Sequence, residues 1–367
     1  MHGVDVHDVP AIVFNMAANR SPSFRFGDRQ IGADAPAFTI AELSGNHNGS
    51  FDRAIEMLRA AAAAGADAVK VQTYTADSIT LDSDRPDFLA EGLWEGRTLY
   101  DLYSEASMPW DWQSDLAVEA RTLGVKFFSS VFDLTSIDYL ESIGVEAYKI
   151  ASFELVDIPL IEAAAATGKP LILSTGMGTL SEIEEAVCAA RRTGSGEIAL
   201  LACTSSYPAP ASAANLQKVR HLAETFDVVS GLSDHTVGNE VSIAAVALGA
   251  KIIEKHFTLR RADGGVDSAF SLEPEEFTAL VRGVRIAEAA IGAPVYGPTE
   301  ADKSSVAYRR SLFVARPVSA GTVVRDGDVR SVRPASGMHP RHLPEIIGRT
   351  ARNDLEAGLP FDWTMVD

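Results

Sequence analysis

The stretch YKIASFELVDIPLIEAAAATGKPLILSTGM, residues 148–177, changes periodicity twice. It opens on a short β-rich run ending at Ile150 and turns through the polar Ala151-Ser152-Phe153-Glu154. It continues as an Ala/Leu-rich amphipathic run over 159–167. Gly168 supplies the left-handed residue that ends a helix, and a second apolar run, 170–174, follows at once. Two strand-length runs joined by one helix form a βαβ unit, whose strands lie parallel.

The same pattern recurs on both sides. Strands are expected at 37–43, 68–72, 126–130, 147–150, 170–174, 198–202, 228–232 and 251–255. Helical runs follow at 51–63, 111–123, 137–142, 159–167, 180–190, 216–226, 237–248 and 274–291. Glycine marks other helix ends at Gly65, Gly124, Gly144 and Gly249. Eight such units between residues 37 and 291 predict a closed (β/α)₈ barrel. A doubly wound open sheet usually has fewer strands, and no glycine-rich dinucleotide fingerprint follows the first strand. The connection after the second strand, about 74–109, is long and carries Trp94, Tyr100 and Tyr103, with Trp110 at its end. Long connections of this kind are often functional.

Residues 1–36 read as an N-terminal extension, with 24–26 and 30–31 flanking Gly27-Asp28-Arg29 as a hairpin that plugs the barrel bottom. Residues 292–306, rich in Gly and Pro, read as a linker. Residues 307–367 alternate short apolar runs with turns, the pattern of a small, mostly β domain.

Composition narrows the function classes. A net charge of −18 argues against non-specific nucleic-acid binding. No run reaches the ~20 apolar residues of a membrane span, and residues 1–20 lack the basic region and long apolar core of a signal peptide. Only Cys188 and Cys203 occur, which excludes a disulfide scaffold and suits the cytoplasm. The charge is uneven: residues 307–350 hold eight Arg against Asp326, Asp328 and Glu345, a net of +5, leaving −23 for the remainder. These arginines are either solvated surface or partners of an anionic ligand.

Barrel chemistry gathers at the C-terminal strand ends. Here these read, in order, Glu42 to His47, Lys70 to Thr73, Phe128 to Ser130, Lys149 to Glu154, Ser174 to Met177, Cys203 to Pro208, Ser233 to Thr236 and Glu254 to Phe257. All eight are polar. Lys70 and Lys149 lie in apolar strands, where an unpaired ammonium is costly. With Ser130, Ser152, Ser205 and Ser233 they can cradle a phosphate and a carboxylate. His235 and His256 end adjacent strands and can face one divalent metal, although paired histidines are as often hydrogen-bonded mouth residues. Glu42, Asp234, Glu254 and Asp267 can orient histidines or move protons. Lys255 offers a competing reading, a Schiff-base lysine.

These motifs resemble the sialic acid synthase family over residues 24–367. The resemblance rests on IAELSGNHNGS (40–50), VKVQTYT (69–75), YKIASFE (148–154), ILSTGM (172–177), CTSSYPAP (203–210), GLSDHT (231–236) and EKHFTL (254–259). The tail, with SLFVARPVSAGTVV and VRSVRPASG, is similar to the family's antifreeze-like (SAF) domain. Segments 92–112, 256–274 and 296–313 resemble the pseudaminic branch, and Ser205 stands where N-acetylneuraminate synthases usually carry Asn.

The resemblance implies a transferase that condenses phosphoenolpyruvate with 2,4-diacetamido-2,4,6-trideoxy-L-altrose and water, releasing phosphate by C–O cleavage. It implies a divalent cation, Mn²⁺ with Mg²⁺ or Co²⁺ as alternatives, on His235 and His256. Lys70, Lys149, Ser130, Ser152 and Ser233 would bind phosphoenolpyruvate, with Asn46, Gln72, Ser205 and Tyr207 nearby. Glu42 would handle the proton, and Glu154 and Asp267 would bind the sugar. Arg333 would reach an acyl group of the sugar from the tail of the other subunit in a domain-swapped homodimer. Legionaminic or N-acetylneuraminate synthesis is the neighbouring alternative, and a non-catalytic sugar-binding barrel is an alternative of another class.

Overall fold

The computed structural model describes the backbone of Ile12–Val13, residues 22–32 and residues 34–367. The signal-peptide reading of residues 1–20 therefore lies outside the described residues, apart from that short strand. The chain divides into two compact units: Ala17–Gly292, and Met1–Met16 together with Ala293–Asp367.

The first unit is a (β/α)₈ barrel. Its strands are β1 (Phe38–Glu42), β2 (Ala68–Thr73), β3 (Lys126–Val131), β4 (Tyr148–Ile150), β5 (Leu171–Ser174), β6 (Ile198–Cys203), β7 (Val229–Asp234) and β8 (Ile252–His256). They pair in parallel and in chain order, and β8 closes on β1 with His256 opposite Glu42. Local chemistry accounts for the helices between them. In Phe51–Ala63, Ser50 Oγ accepts the Arg53 amide, and Ala54, Met57, Leu58 and Ala61 form one buried stripe. Losing such a cap costs about 1 kcal/mol.

Strand side chains alternate between the barrel lumen and the strand–helix layer. The lower lumen is apolar. Phe38 and Ile40, Ala68, Phe128, Ile172, Leu201, Val229 and Ile252 form one cluster with Phe24, Phe26 and Ile31. The last three belong to the hairpin Ser23–Phe26/Arg29–Gly32, whose turn uses Gly27 at φ +59°. This hairpin is the expected bottom plug; the Phe26 and Phe128 rings meet edge-on at 5.2 Å. Two residues farther along each strand, or four on β7 where Gly231 intervenes, the same face becomes polar.

The long connection after β2 is not structureless. It holds helices Ala76–Ile79 and Leu99–Ala106 and two single turns, Pro86–Phe88 and Gly92–Trp94. In the second unit, Ser311–Val314 pairs antiparallel with Val329–Val332 over a core that includes Leu312, Val314, Val324, Ile346 and Phe361. Ile12–Val13 pairs with Val295–Tyr296 in this unit, and Lys303–Val306 forms a short helix. Among the described residues no helix is long and apolar enough to cross a membrane.

Candidate active site

Parity places the site. On β1, Phe38 and Ile40 face the lower lumen, so Glu42 faces the upper lumen. The same step brings in Lys70 and Gln72 from β2, Ser130 from β3, Lys149 from β4, Ser174 from β5, Cys203 from β6, Ser233 from β7, and Glu254 and His256 from β8. All but Gln72, which is half-buried, are buried.

Ion pairs and hydrogen bonds join these groups. Lys70 Nζ lies 2.5 Å from Glu42 Oε2, 3.7 Å from Glu254 Oε1 and 3.0 Å from Ser130 Oγ. Gln72 Nε2 donates to Glu42 Oε1 at 3.0 Å, and Ser233 Oγ donates to Glu254 Oε1 at 3.1 Å. Lys149 differs. Only 1% exposed, it donates to Ser174 Oγ at 2.7 Å and to the Ile150 carbonyl at 2.9 Å, and has no ion-paired carboxylate among the described residues. Ser152 and Ser205 converge on Gly176, where a Cβ would come within 2.4 Å of Ser152 Cβ and 2.9 Å of Ser205 Oγ.

Burial and charge set the protonation states. Burial holds the Lys149 ammonium below its usual pKa, aided by Lys70. Burial acts the same way on Lys70, but Glu254 and Glu42 outweigh it and raise its pKa. Burial pushes the Glu42 carboxyl above its usual range against the pull of Lys70. Burial also pushes Glu254 up, but Lys70 and Lys149 keep it low. Burial lifts Glu154 to about 7 and raises Asp267. The Cys203 thiol is pushed up by burial yet drawn down to about 7 by His235, whose Nδ1 is 3.8 Å from Sγ.

The two histidines meet at the mouth with ring centroids 5.3 Å apart. His235 Nδ1 lies 3.0 Å from the Thr204 carbonyl, which leaves Nε2 as its free nitrogen. Burial drives the His256 pKa well below its usual value, so this imidazole is neutral and offers a lone pair. Among the described residues its buried Nδ1 has no hydrogen-bond partner, and it stands 3.8 Å from Asp267 Oδ2; Glu254 Oε2 is likewise buried and without a partner among them. Burial pulls the His235 pKa down, but Cys203, the Thr204 carbonyl and Glu254 outweigh it and raise it. The neutral His256 and the free Nε2 of His235, beside orphaned buried acceptors, fit a divalent cation. Among the described residues no three His, Cys, Asp or Glu side chains converge as a closed cage. Tyr207 packs on His235 at 4.5 Å and Phe270 on His256 at 4.9 Å, while Trp94 from the long β2 connection reaches Tyr207 at 5.9 Å.

Most of the residues anticipated from sequence gather in this mouth: Glu42, Lys70, Gln72, Ser130, Lys149, Ser152, Ser205, Tyr207, Ser233, His235 and His256. Asp267 joins them through Ser44, whose hydroxyl donates to its carboxylate. Glu154 lies on the turn after β4 with one buried oxygen unpartnered. Asn46 is committed elsewhere: its Nδ2 donates to the Phe257 carbonyl and Ser271 Oγ, tying the β1 and β8 connections together, and only Oδ1 is free. Arg333 belongs to the second unit, where it is exposed. Glu254, expected only as a carboxylate that orients histidines or moves protons, is an ion-pair partner of Lys70, and Ser174, which the sequence reading did not assign a role, receives Lys149; strand parity alone puts both in the lumen. Phe270 carried no such signal, because a connection sets its position, whereas Trp94 was flagged only as part of a long connection.

Lys255 faces the opposite way. One residue out of phase with Glu254 and His256, it points into the strand–helix layer and pairs with Asp234 Oδ2 at 2.8 Å. A lysine outside the lumen is closed to substrate, which removes the Schiff-base alternative.

Comparison with known proteins agrees with this architecture. The sequence profile of the NeuB family matches residues 57–296, and that of the SAF domain matches residues 309–367. A pseudaminic acid synthase of Campylobacter jejuni is 41% identical over 326 residues, spanning 89% of this chain and 95% of that protein. An N,N'-diacetyllegionaminic acid synthase of Legionella pneumophila is 34% identical over 96% of this chain and all of its own length. The crystal structure of an N-acetylneuraminic acid (sialic acid) synthetase from Leptospira borgpetersenii in complex with citrate superposes with a TM-score of 0.70 at 33% identity, covering 78% of this chain and 95% of that one. With more than half its length matched by one family profile, the chain belongs to the NeuB family.

Proposed function

We propose that this chain is a pseudaminic acid synthase: it joins phosphoenolpyruvate to 2,4-diacetamido-2,4,6-trideoxy-L-altrose and water, giving a nine-carbon nonulosonic acid and phosphate. The observation that carries the reading is Lys149, a buried ammonium that donates to Ser174 Oγ and has no ion-paired carboxylate among the described residues. Such a cation is costly unless an anion arrives. The higher identity to the pseudaminic relative than to the legionaminic one supports the choice of sugar.

In this reading Lys149, Lys70, Ser130, Ser152, Ser205 and Ser233 hold the phosphate and carboxylate of phosphoenolpyruvate. His235 and His256 would hold a divalent cation, Mn²⁺ in the first instance, which would supply Lewis-acid polarisation of the sugar aldehyde. A C–C bond forms between C3 of phosphoenolpyruvate and the aldehyde carbon, whose oxygen takes up a proton. Water adds to C2, and the resulting hemiketal phosphate collapses by C–O cleavage, releasing phosphate and leaving a 2-keto acid. Glu42, its pKa raised by burial and its oxygens held by Lys70 and Gln72, handles the proton. Glu154 and Asp267 face the sugar. Placing Lys70 and Lys149 before the charge moves is the largest contribution of the protein.

The test is phosphate release from phosphoenolpyruvate with three sugars: the altrose derivative, the legionaminic precursor and N-acetylmannosamine. Release should be fastest with the first. Faster turnover of either other sugar would overturn the assignment, and no release with any would favour a sugar-binding barrel.

The charge asymmetry between residues 307–350 and the remainder supports a swapped homodimer in which Arg333 of the partner subunit completes each site. Mixing Glu42→Ala with Arg333→Ala protein should give heterodimers near half of wild-type activity. Heterodimers as weak as their parents would rule the exchange out.

A further inference from the structure

The buried pair Lys255–Asp234 has no place in the lumen chemistry. It is wholly enclosed, and a buried ion pair is commonly no more stabilising than apolar residues of the same volume. Its connections are specific. Asp234 and Lys255 are direct partners in the β7–β8 ladder, and each immediately precedes one mouth histidine, His235 or His256. Asp234 Oδ1 accepts the Thr236 amide at 2.9 Å, while Lys255 Nζ donates to the Thr236 carbonyl at 2.6 Å. The residue after His235 is therefore held at both its peptide groups by one ion pair. Asp234 Oδ2 also accepts from Ser242 at 2.6 Å, which anchors the pair to the helix Glu240–Ala247.

We propose that Lys255 and Asp234 are positioning residues that fix the spacing of His235 and His256 from outside the barrel, setting the affinity of that pair for a divalent metal. The backbone of His235 is bracketed by Asp234 and Thr236, and that of His256 follows Lys255 directly. Breaking the pair frees the His235–Thr236 segment while leaving both imidazoles, Lys70 and Lys149 in the lumen. Groups that orient metal ligands usually change metal affinity by about 10- to 100-fold when removed.

The inference rests on the reading of His235 and His256 as metal ligands, and the experiment separates the two. Mn²⁺ affinity of the metal-stripped protein is measured by titration calorimetry and by electron paramagnetic resonance of free Mn²⁺. Phosphoenolpyruvate affinity is measured without metal. Lys255→Met should weaken Mn²⁺ about 10- to 100-fold and leave metal-free phosphoenolpyruvate binding within about twofold. Lys255→Arg, which keeps the charge, should recover most of the loss. If Lys255→Met does not fold, Asp234→Asn and Ser242→Ala carry the test, with smaller losses in that order. Mn²⁺ affinity within about twofold of the parent in a folded Lys255→Met or Asp234→Asn protein, whatever its melting temperature, would reduce the pair to a structural role. Unchanged Mn²⁺ affinity in His235→Ala and His256→Ala would instead overturn the ligand reading.

Discussion

The lower and upper halves of the barrel lumen are built by the same strands, on the same face, two residues apart. Below, Phe38, Ile40, Phe128 and Leu201 close on the hairpin residues Phe24, Phe26 and Ile31. Above, Glu42, Ser130 and Cys203 succeed them, with Lys70, Lys149, Glu254 and His256. One half gains free energy by leaving water and the other loses it, since two ammonium groups and several carboxylates are kept where solvation is poor. The difference teaches that stability and chemistry are segregated along the strand axis, within one continuous lumen.

Three experiments break or sharpen that contrast. The largest effect is expected below. Phe26→Ala should cost about 3–5 kcal/mol of stability, read by chemical denaturation, while kcat/KM of the folded enzyme changes little. A comparable loss of kcat/KM would mean that the plug shapes the mouth.

Above, Lys149→Met should remove one or two charge-assisted hydrogen bonds of about 1.5–3 kcal/mol each. The expected result is a fall in kcat/KM for phosphoenolpyruvate on the order of 10²-fold, with a melting temperature equal to or above that of the parent. A clear drop in melting temperature would show that Lys149 supports the fold.

The smallest effect concerns Glu154, whose carboxyl burial lifts to about 7. Its folded pKa lies above the unfolded value, so the folded state binds the extra proton between the two values and loses stability as pH rises through about 7. Glu154→Gln should therefore raise the melting temperature more at pH 8 than at pH 5, and flatten any activity limb near pH 7. An equal shift at both pH values would place an ordinary pKa on this group.

The barrel was legible because each unit carries its own punctuation. The expected helices 51–63 and 274–291 match Phe51–Ala63 and Pro274–Ile291, and every strand was placed within two residues of its observed bounds. Apolar runs, caps and terminal glycines are local signals that the sequence writes directly. The polar mouth was legible for the same reason, since a lysine inside an apolar strand is conspicuous. Asn46, expected beside the substrate, also clamps two connections through its Nδ2, a role set by residues more than two hundred positions away. Phe270 was hidden for a related reason: an aromatic residue in a connection has no parity to read, and Trp94 was visible only through the length of its connection. Ser174 and Glu254 were readable by alternation and needed only that the strand ends be phased.

Strand β8 also holds two catalytic vocabularies, interleaved. Glu254 and His256 speak to the lumen, while Lys255 between them, an amine of the type that forms imines with carbonyl compounds, faces the helices. A one-residue slip of register would exchange the two sets, because side chains alternate with a period of two. An insertion or deletion early in this strand would withdraw the imidazole and carboxylate and present the amine. The closed ladder, fixing β8 against both β7 and β1, is thus what keeps one reaction class in the barrel and the other out of it.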